Sequence, residues 1–322
     1  MRRTNINFTT KEIPPDMKPS KYLCSLLCFL AACIWGFSFV SQTKGMEYMH
    51  PFTFNGVRNL MAAFVLFLWL LANGKIAGSK AKEIHWKRNF TGGIWCGLAL
   101  FIASTLQQVG LLYTSVGKAG FITTLYIIFV PIAGIFLKKK VPGIVWFAAM
   151  LAVGGMYLLC VSESASLNTG DILVFLCAVG YTAQIMFIDH FAEGTDGVVL
   201  SFFQFLICGV LGTIAAFIWG APAWSQLAGG IVALLYAAIM GSAVAYTFQI
   251  LGQKNLNPTV ASLLLSLESV VATVAAWGAY KIGFLKTDQT LTGRQIAGCI
   301  VVFAAVVLVQ LPGEWFTRKK GY

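Results

Sequence analysis

Two charged residues lie deep inside apolar runs: Arg58 within 51–71 and Glu268 within 258–280. A guanidinium grips anions through a fixed fork of donors, and a carboxylate accepts hydrogen bonds or exchanges a proton. Placing either at mid-membrane costs roughly 2.5–3.5 kcal/mol on insertion scales, so such groups face a bundle interior or a watery cavity rather than lipid. Polar and aromatic residues accompany them at helical spacing. Asn55 and Arg58 are three residues apart, as are Tyr181 and Gln184, and Tyr246 and Gln249, so each pair shares one helix face. Together with Trp35, Ser38, Gln107, Gln108, Tyr126 and Gln204, these residues are candidates to line a solvated pocket near mid-membrane, where polar side chains replace the hydration shell of a solute. Glu268 is the one residue suited to couple solute movement to protons. Tamer roles fit some of the set. Gln107, Gln204 and Asn59 equally suit hydrogen bonds between helices, and Arg58 and Glu268 also suit a structural ion pair. Gly36, Gly154, Gly155, Gly209 and Gly212 suit close helix packing.

Other chemistries lack their residues. The three histidines, 50, 85 and 190, fall at the ends of apolar runs or between them, and Asp171 and Asp189 flank one run on opposite sides. No Ser–His pair, aspartate pair or metal-binding set therefore lies within the apolar stretches, as intramembrane catalysis requires. The eight cysteines show neither a CxxC pair nor zinc-ligand spacing and read as small buried hydrophobes. No phosphate-binding G-x(4)-GK[ST] loop is present, which argues against direct ATP drive. No filter segment or ring of like charges marks an ion channel. The expectation is a non-enzyme without metal or cofactor that handles a small-molecule solute.

The elements that must position these groups are legible from composition. Of 322 residues, 58% are hydrophobic and 11% charged, with a mean hydropathy of +0.77. A soluble domain is about 25% charged, so the bilayer is the natural solvent. The net charge of +11 sits in short gaps between apolar runs rather than in an aromatic-interleaved groove, which disfavours nucleic acid as a partner. A hydrocarbon core of about 30 Å needs about 20 apolar residues per helix. Candidate spans fall near 22–42, 51–71, 91–112, 117–137, 142–161, 171–189, 198–219, 230–252, 258–280 and 292–311. The first is too long for a signal-peptide core and reads as a retained helix. Lys and Arg number 17 in the loops and tails on the N-terminal side of the membrane and 5 on the other, with Arg58 completing the 23. By the positive-inside rule both ends are cytoplasmic, the loop 281–294 dissenting.

The two halves resemble one another. Thr105, Gln107, Gly110 and Ala119 each recur as the same residue type 142 positions later, at Thr247, Gln249, Gly252 and Ala261. A unit of five crossings repeated once must be inverted. The expected fold is thus an all-α polytopic membrane protein of ten transmembrane helices in two inverted five-helix repeats. The divisions are a disordered tail 1–21, repeats at 22–162 and 170–311, and a basic tail 312–322.

Four motifs fall in order on these spans: Trp35-Gly36-Phe37-Ser38-Phe39 in the first, and Pro51 followed by Arg58 in the second. Ala119-Gly120-Phe121-Ile122-Thr123 through Val130-Pro131 occupies the fourth, and Ala261-Ser262-Leu263 through Leu267-Glu268-Ser269 the ninth. In these motifs the chain resembles the EamA-type transporters of the drug/metabolite transporter superfamily, from about residue 22 to 311. It departs from them at Ser269, where the family usually has proline. It departs again at Lys138-Lys139-Lys140 and Lys281-Ile282-Gly283, where Gly-Glu often ends the helix. The resemblance implies a secondary-type carrier in a bacterial cytoplasmic (inner) membrane. It would export amino acids, other metabolites or amphiphilic compounds by alternating access, as a monomer or homodimer. A lipid or nucleotide-sugar carrier of the same fold is the alternative.

Overall fold

The computed structural model of the chain describes residues 20–76, 80, 82, 84–139, 141–160, 168–220, 227–285 and 290–310. The expected tails, apart from Ser20 and Lys21, and the basic residues Lys140 and Lys286 lie outside the described residues. Within them the chain is all-helical. The rods are α1 (Lys21–Met46), α2 (Pro51–Ala72), α3 (Trp86–Gly110), α4 (Val116–Phe136) and α5 (Gly143–Cys160), then α6 (Thr169–Ala192), α7 (Gly197–Trp219), α8 (Ile231–Gln253), α9 (Pro258–Lys281) and α10 (Gly293–Gln310). Eight are long and apolar enough to cross a membrane; α5 and α10 are shorter apolar helices.

The punctuation that starts these rods is chemical. Pro51 and Pro258 occupy first turns, where no N–H is needed. Asn257 caps α9 by accepting from the Thr259 amide at 2.9 Å, and Ser115 caps α4 by accepting from that of Lys118. Asn168 and Asp171 form a reciprocal capping box at the start of α6. With the backbone satisfied internally, large apolar side chains can face outward. Phe136, Ile282, Val232 and Trp219 are among the most exposed, as suits contact with lipid tails.

Helices α2 and α7 form the most intimate pair, because glycines let their backbones meet. A Cβ on Gly212 would lie 2.9 Å from the Gly56 Cα, and one on Gly209 would lie 2.7 Å from the Leu60 amide nitrogen. Gly155 meets Val302 of α10 in the same manner and Gly36 meets Val271 of α9, whereas Gly154 faces open space. The other main contacts join α3 to α6 and α7, α1 to α8 and α9, α4 to α6 and α9, and α5 to α10.

Four rods are irregular, α7 by a π-helical end over Ala216–Gly220 and three others within their length, a feature that apolar periodicity does not reveal. Helix α4 breaks at Leu125, where its amide bonds the Ile122 carbonyl three residues back, and α9 breaks at Ser266 with the same three-residue bond from Ser269 to Ser266. Hydroxyls sit at both breaks: Thr124 donates to the carbonyls of Gly120 and Phe121, and Ser266 to that of Leu263. Helix α8 widens to a π-helix over Tyr236–Val244.

One face of the bundle is strapped by charge around the α6–α7 turn. Asp196 caps α7 through the amides of Val198 and Val199 and pairs with Lys75 beyond α2. Lys139 at the end of α4 pairs with Asp189, Lys254 beyond α8 donates to the Thr195 carbonyl, and Arg88 of α3 donates to those of Glu193 and His190. On the opposite face Asp171 accepts from Thr114 at 2.8 Å and from Lys118 at 2.5 Å. Burial pushes the Asp196 carboxyl up, but the Lys75 ammonium and the capping amides outweigh it and hold the group below its ordinary value.

Two outcomes follow for purified protein in detergent. Gly212→Ala forces α2 and α7 apart and costs about 1–3 kcal/mol of stability, read as a lower unfolding midpoint. Asp196 binds its proton less readily folded than unfolded, so its contribution is present above the ordinary carboxylate range of about 4 and is lost as pH falls. Asp196→Asn therefore lowers the melting temperature at neutral pH, and the gap to wild type closes on acidification; a gap that widens contradicts the assignment.

Candidate functional site

Where the irregular segments of α4, α8 and α9 come together with α1, α2, α3 and α6, they enclose about 510 Å³ of empty space, part of it open to solvent. Ten of the thirteen residues expected to line a pocket do so: Trp35, Ser38, Arg58, Gln107, Tyr126, Tyr181, Gln184, Tyr246, Gln249 and Glu268. Both deep charges are buried, each about 5% exposed. Asn55 and Gln108 do not line it. Asn55 spends its amide on the hydroxyls of Ser104 and Thr105, each at 3.1 Å, which ties α2 to α3. Gln108 is fully buried outside the lining, since adjacent residues on a helix point about 100° apart and its neighbour Gln107 takes the cavity side.

Gln107 therefore belongs to the cavity, while Gln204 and Asn59 have the tamer role. Gln204 accepts from Gln184 at 3.2 Å, and Asn59 donates to Cys208 Sγ of α7 at 3.2 Å as well as to the carbonyl and side-chain oxygen of Asn55 on its own helix. Phe39, Gln42, Thr123, Ile185, Gly241, Ser242 and Leu265 complete the lining and were not anticipated. Helical spacing could have found Gln42, which follows Trp35 by seven and Ser38 by four. Gly241 and Ser242 enter because the π-helix rotates them inward. A Cβ on Gly241 would lie 2.6 Å from the Ser38 hydroxyl, and its carbonyl accepts the Trp35 indole N–H at 2.8 Å.

Most polar groups of the lining bind one another. The Tyr126 hydroxyl donates to Glu268 Oε1 at 3.0 Å. Tyr181 donates to Gln107 at 3.2 Å, and Gln107 donates to Thr123 at 3.1 Å. Gln184 and Gln249 exchange amide hydrogen bonds of 3.3 and 3.2 Å. Trp35 stands edge-on to Tyr246 with centroids 4.6 Å apart, and Phe205 backs Tyr246 at 5.4 Å. Arg58 differs. Among the described residues it takes part in neither an ion pair nor a hydrogen bond; its Nε is buried without a partner, and its guanidinium lies 5.7 Å from the Phe54 ring centroid. The ion pair between Arg58 and Glu268 that the sequence allowed is not formed.

The lining also has internal symmetry. Phe39 and Tyr181, Gln42 and Gln184, Gln107 and Gln249, Thr123 and Leu265, and Tyr126 and Glu268 are each 142 residues apart. Ten of the seventeen lining residues thus fall into pairs at the offset that relates the two halves.

With known proteins the chain shares the following. The model of the EamA-like transporter family matches residues 23–161 and again 168–311. An uncharacterized transporter of Archaeoglobus fulgidus is 31% identical over 288 residues, spanning 88% of this chain and 84% of the relative. Protein PecM of Dickeya dadantii is 25% identical over 303 residues, spanning 91% and 94%. A solved crystal structure superposes with a TM-score of 0.72 over 92% of this chain and all of the other, at 15% identity, which speaks for the fold alone.

A double-mutant cycle separates the two possible partners of Glu268. Tyr126→Phe and Glu268→Gln, followed by unfolding in detergent, are expected to couple by about 1–3 kcal/mol. Arg58→Gln and Glu268→Gln are expected to add to within about 0.5 kcal/mol.

Proposed function

The chain belongs to the EamA-like transporter family, and on that premise we propose that it is a secondary-type carrier that exports small organic metabolites, such as amino acids or amphiphilic compounds, by alternating access. The observation that carries this reading is the central cavity, whose lining is drawn in equivalent pairs from both halves of the chain. A site lying between two like halves can be exposed alternately as each half rocks against the other. Membership in a transporter family, and the names its relatives carry, support a membrane transporter.

We further propose that all ten rods span the bilayer as two inverted repeats, 22–162 and 170–311, with α5 and α10 crossing as the short members. Support comes from the helix contacts, which map onto themselves when each rod of one half is exchanged for its counterpart in the other. Under that exchange α2 with α7, α4 with α9 and α5 with α10 are self-paired, and α1 with α8 becomes α6 with α3. The strapped face carries the loops richest in Lys and Arg, which supports placing that face and both termini in the cytoplasm of a cell whose inner membrane holds the protein. Glu268 is the residue proposed to couple flux to protons, because it is the only ionisable carboxyl lining the cavity.

The test is flux. Purified protein in liposomes is loaded with a pooled metabolite library under imposed proton and sodium gradients, wild type beside Glu268→Gln and Arg58→Ala. Selective movement of one chemical class, lost in either variant, is the expected result. A rate that varies across mildly acidic pH in wild type and is flat in Glu268→Gln supports proton coupling, and full pH dependence in that variant removes it. No movement of any solute overturns the carrier reading.

A further inference from the structure

Resting on the carrier reading, we infer that the cavity takes a monocarboxylate with a flat apolar body, whose carboxylate docks on Arg58 and whose body lies against Trp35 and Tyr246. The argument is one of unspent hydrogen-bonding capacity. On the α3, α4, α6 and α9 walls, the amides, hydroxyls and carboxylate that line the space are engaged with one another. The wall formed by α1, α2 and α8 is different. Arg58 has no anion, Gln42 has a buried side-chain oxygen without a partner, and the Ser38 and Ser242 hydroxyls form no hydrogen bond among the described residues.

The internal symmetry sharpens this contrast. Gln184, the counterpart of Gln42, is bonded to both Gln204 and Gln249. Arg58 has Leu200 as its counterpart, Ser38 has Gly180 and Trp35 has Cys177, none of which lines the space. Apart from Gln42, whose counterpart is bonded, the unspent groups are therefore additions to a symmetric frame, gathered on one side of it. A cation 95% buried and without an anion is costly to hold in place. A solute anion offsets that cost, and a guanidinium fork matches the two oxygens of a carboxylate.

One guanidinium, one carboxyl and no lysine line the space, so with Glu268 protonated a single negative charge on the solute is balanced where a phosphate dianion is not. The rest of the solute meets ring faces. The Tyr126 and Tyr181 hydroxyls are turned to Glu268 and Gln107, while Trp35 and Tyr246, crossed at 62°, offer an apolar shelf.

Calorimetry on the detergent-purified chain tests this with three probes of one shape: 3-phenylpropionate, its neutral amide and 3-phenylpropylamine. In wild type the carboxylate is expected to bind at least tenfold more tightly than either analogue. Arg58→Gln is expected to bring the three within about twofold of one another, and Arg58→Lys to keep part of the preference, with helical content and monodispersity checked by circular dichroism and size exclusion. The inference is overturned if wild type binds the carboxylate no better than the amide, binds the amine best, binds none of the three, or if a well-folded Arg58→Gln keeps the preference. Flux of the same probes in liposomes separates this from the underlying reading. An amine or amide that moves while the carboxylate does not leaves a carrier with the wrong charge assignment. Carboxylate binding without flux of any solute leaves an anion site and removes the carrier.

Discussion

The hydrogen bond from Tyr126 to Glu268 is the contact around which this molecule is arranged. A carboxyl group in an apolar bundle must find a donor close by or exact a cost of several kcal/mol. The donor here stands at the equivalent position of the other half, 142 residues away. Each of the two residues sits just beyond the break of its own helix, at Leu125 in α4 and at Ser266 in α9. The breaks let a backbone turn inward at mid-depth, and hydroxyls at Thr124 and Ser266 satisfy carbonyls that the interrupted ladder would otherwise leave bare. The polar centre and the irregular helices are thus one feature, since straight rods would hold apolar faces against one another and leave no room for the pair.

Outward from that pair, the cavity is held open by bonds among its own walls. Tyr181, Gln107 and Thr123 form one chain, and Gln184 and Gln249 form a reciprocal clasp. Such a frame fixes side chains that would otherwise collapse into the space they line. Around it, packing without side chains at the α2–α7 crossing brings Arg58 to the edge of the same space: Gly56 lies two residues before it, and a Cβ at Gly212 would lie 2.9 Å from the Gly56 Cα.

Much of this was legible in the chain. Pro51, Ser115, Asn168 and Asn257 mark helix starts by chemistry that depends on local sequence, the proline in a first turn and the other three as side-chain caps. Arg58 and Glu268 stood out because a charge in an apolar run needs a polar setting, and both line the cavity. What escaped notice depends on neighbours distant in sequence. Asn55 shares a helix face with Arg58, yet its amide is captured by Ser104 and Thr105 of α3, which spacing on α2 alone does not reveal. Gly241 and Ser242 look like packing residues in an apolar run. They line the space because the ladder slips to five-residue bonds over Tyr236–Val244, and the Trp35 indole takes the Gly241 carbonyl.

Symmetry in the frame and asymmetry in its furnishings answer different needs. The proposed exchange between like halves asks the frame to look the same from either end, and the paired positions at the 142-residue offset are consistent with that requirement. Recognition asks for a directed set of contacts, which a symmetric site cannot supply to an asymmetric solute. The chain separates the two tasks by residue. Glutamines at 107 and 249 are duplicated and keep the frame, whereas Arg58 stands opposite a leucine and Trp35 opposite a cysteine. The charged strap around Asp196 shows the same division on a larger scale. The α6–α7 turn is bound by Lys75, Arg88 and Lys254, while on the opposite face the α1–α2 turn carries the short-range pair Lys44–Glu47 and Asp171 accepts from Lys118. In the proposed carrier the end at the α6–α7 turn therefore has more charge to disrupt on opening than the end at the α1–α2 turn, and a ligand or gradient that acts on one end alone shifts the balance between them.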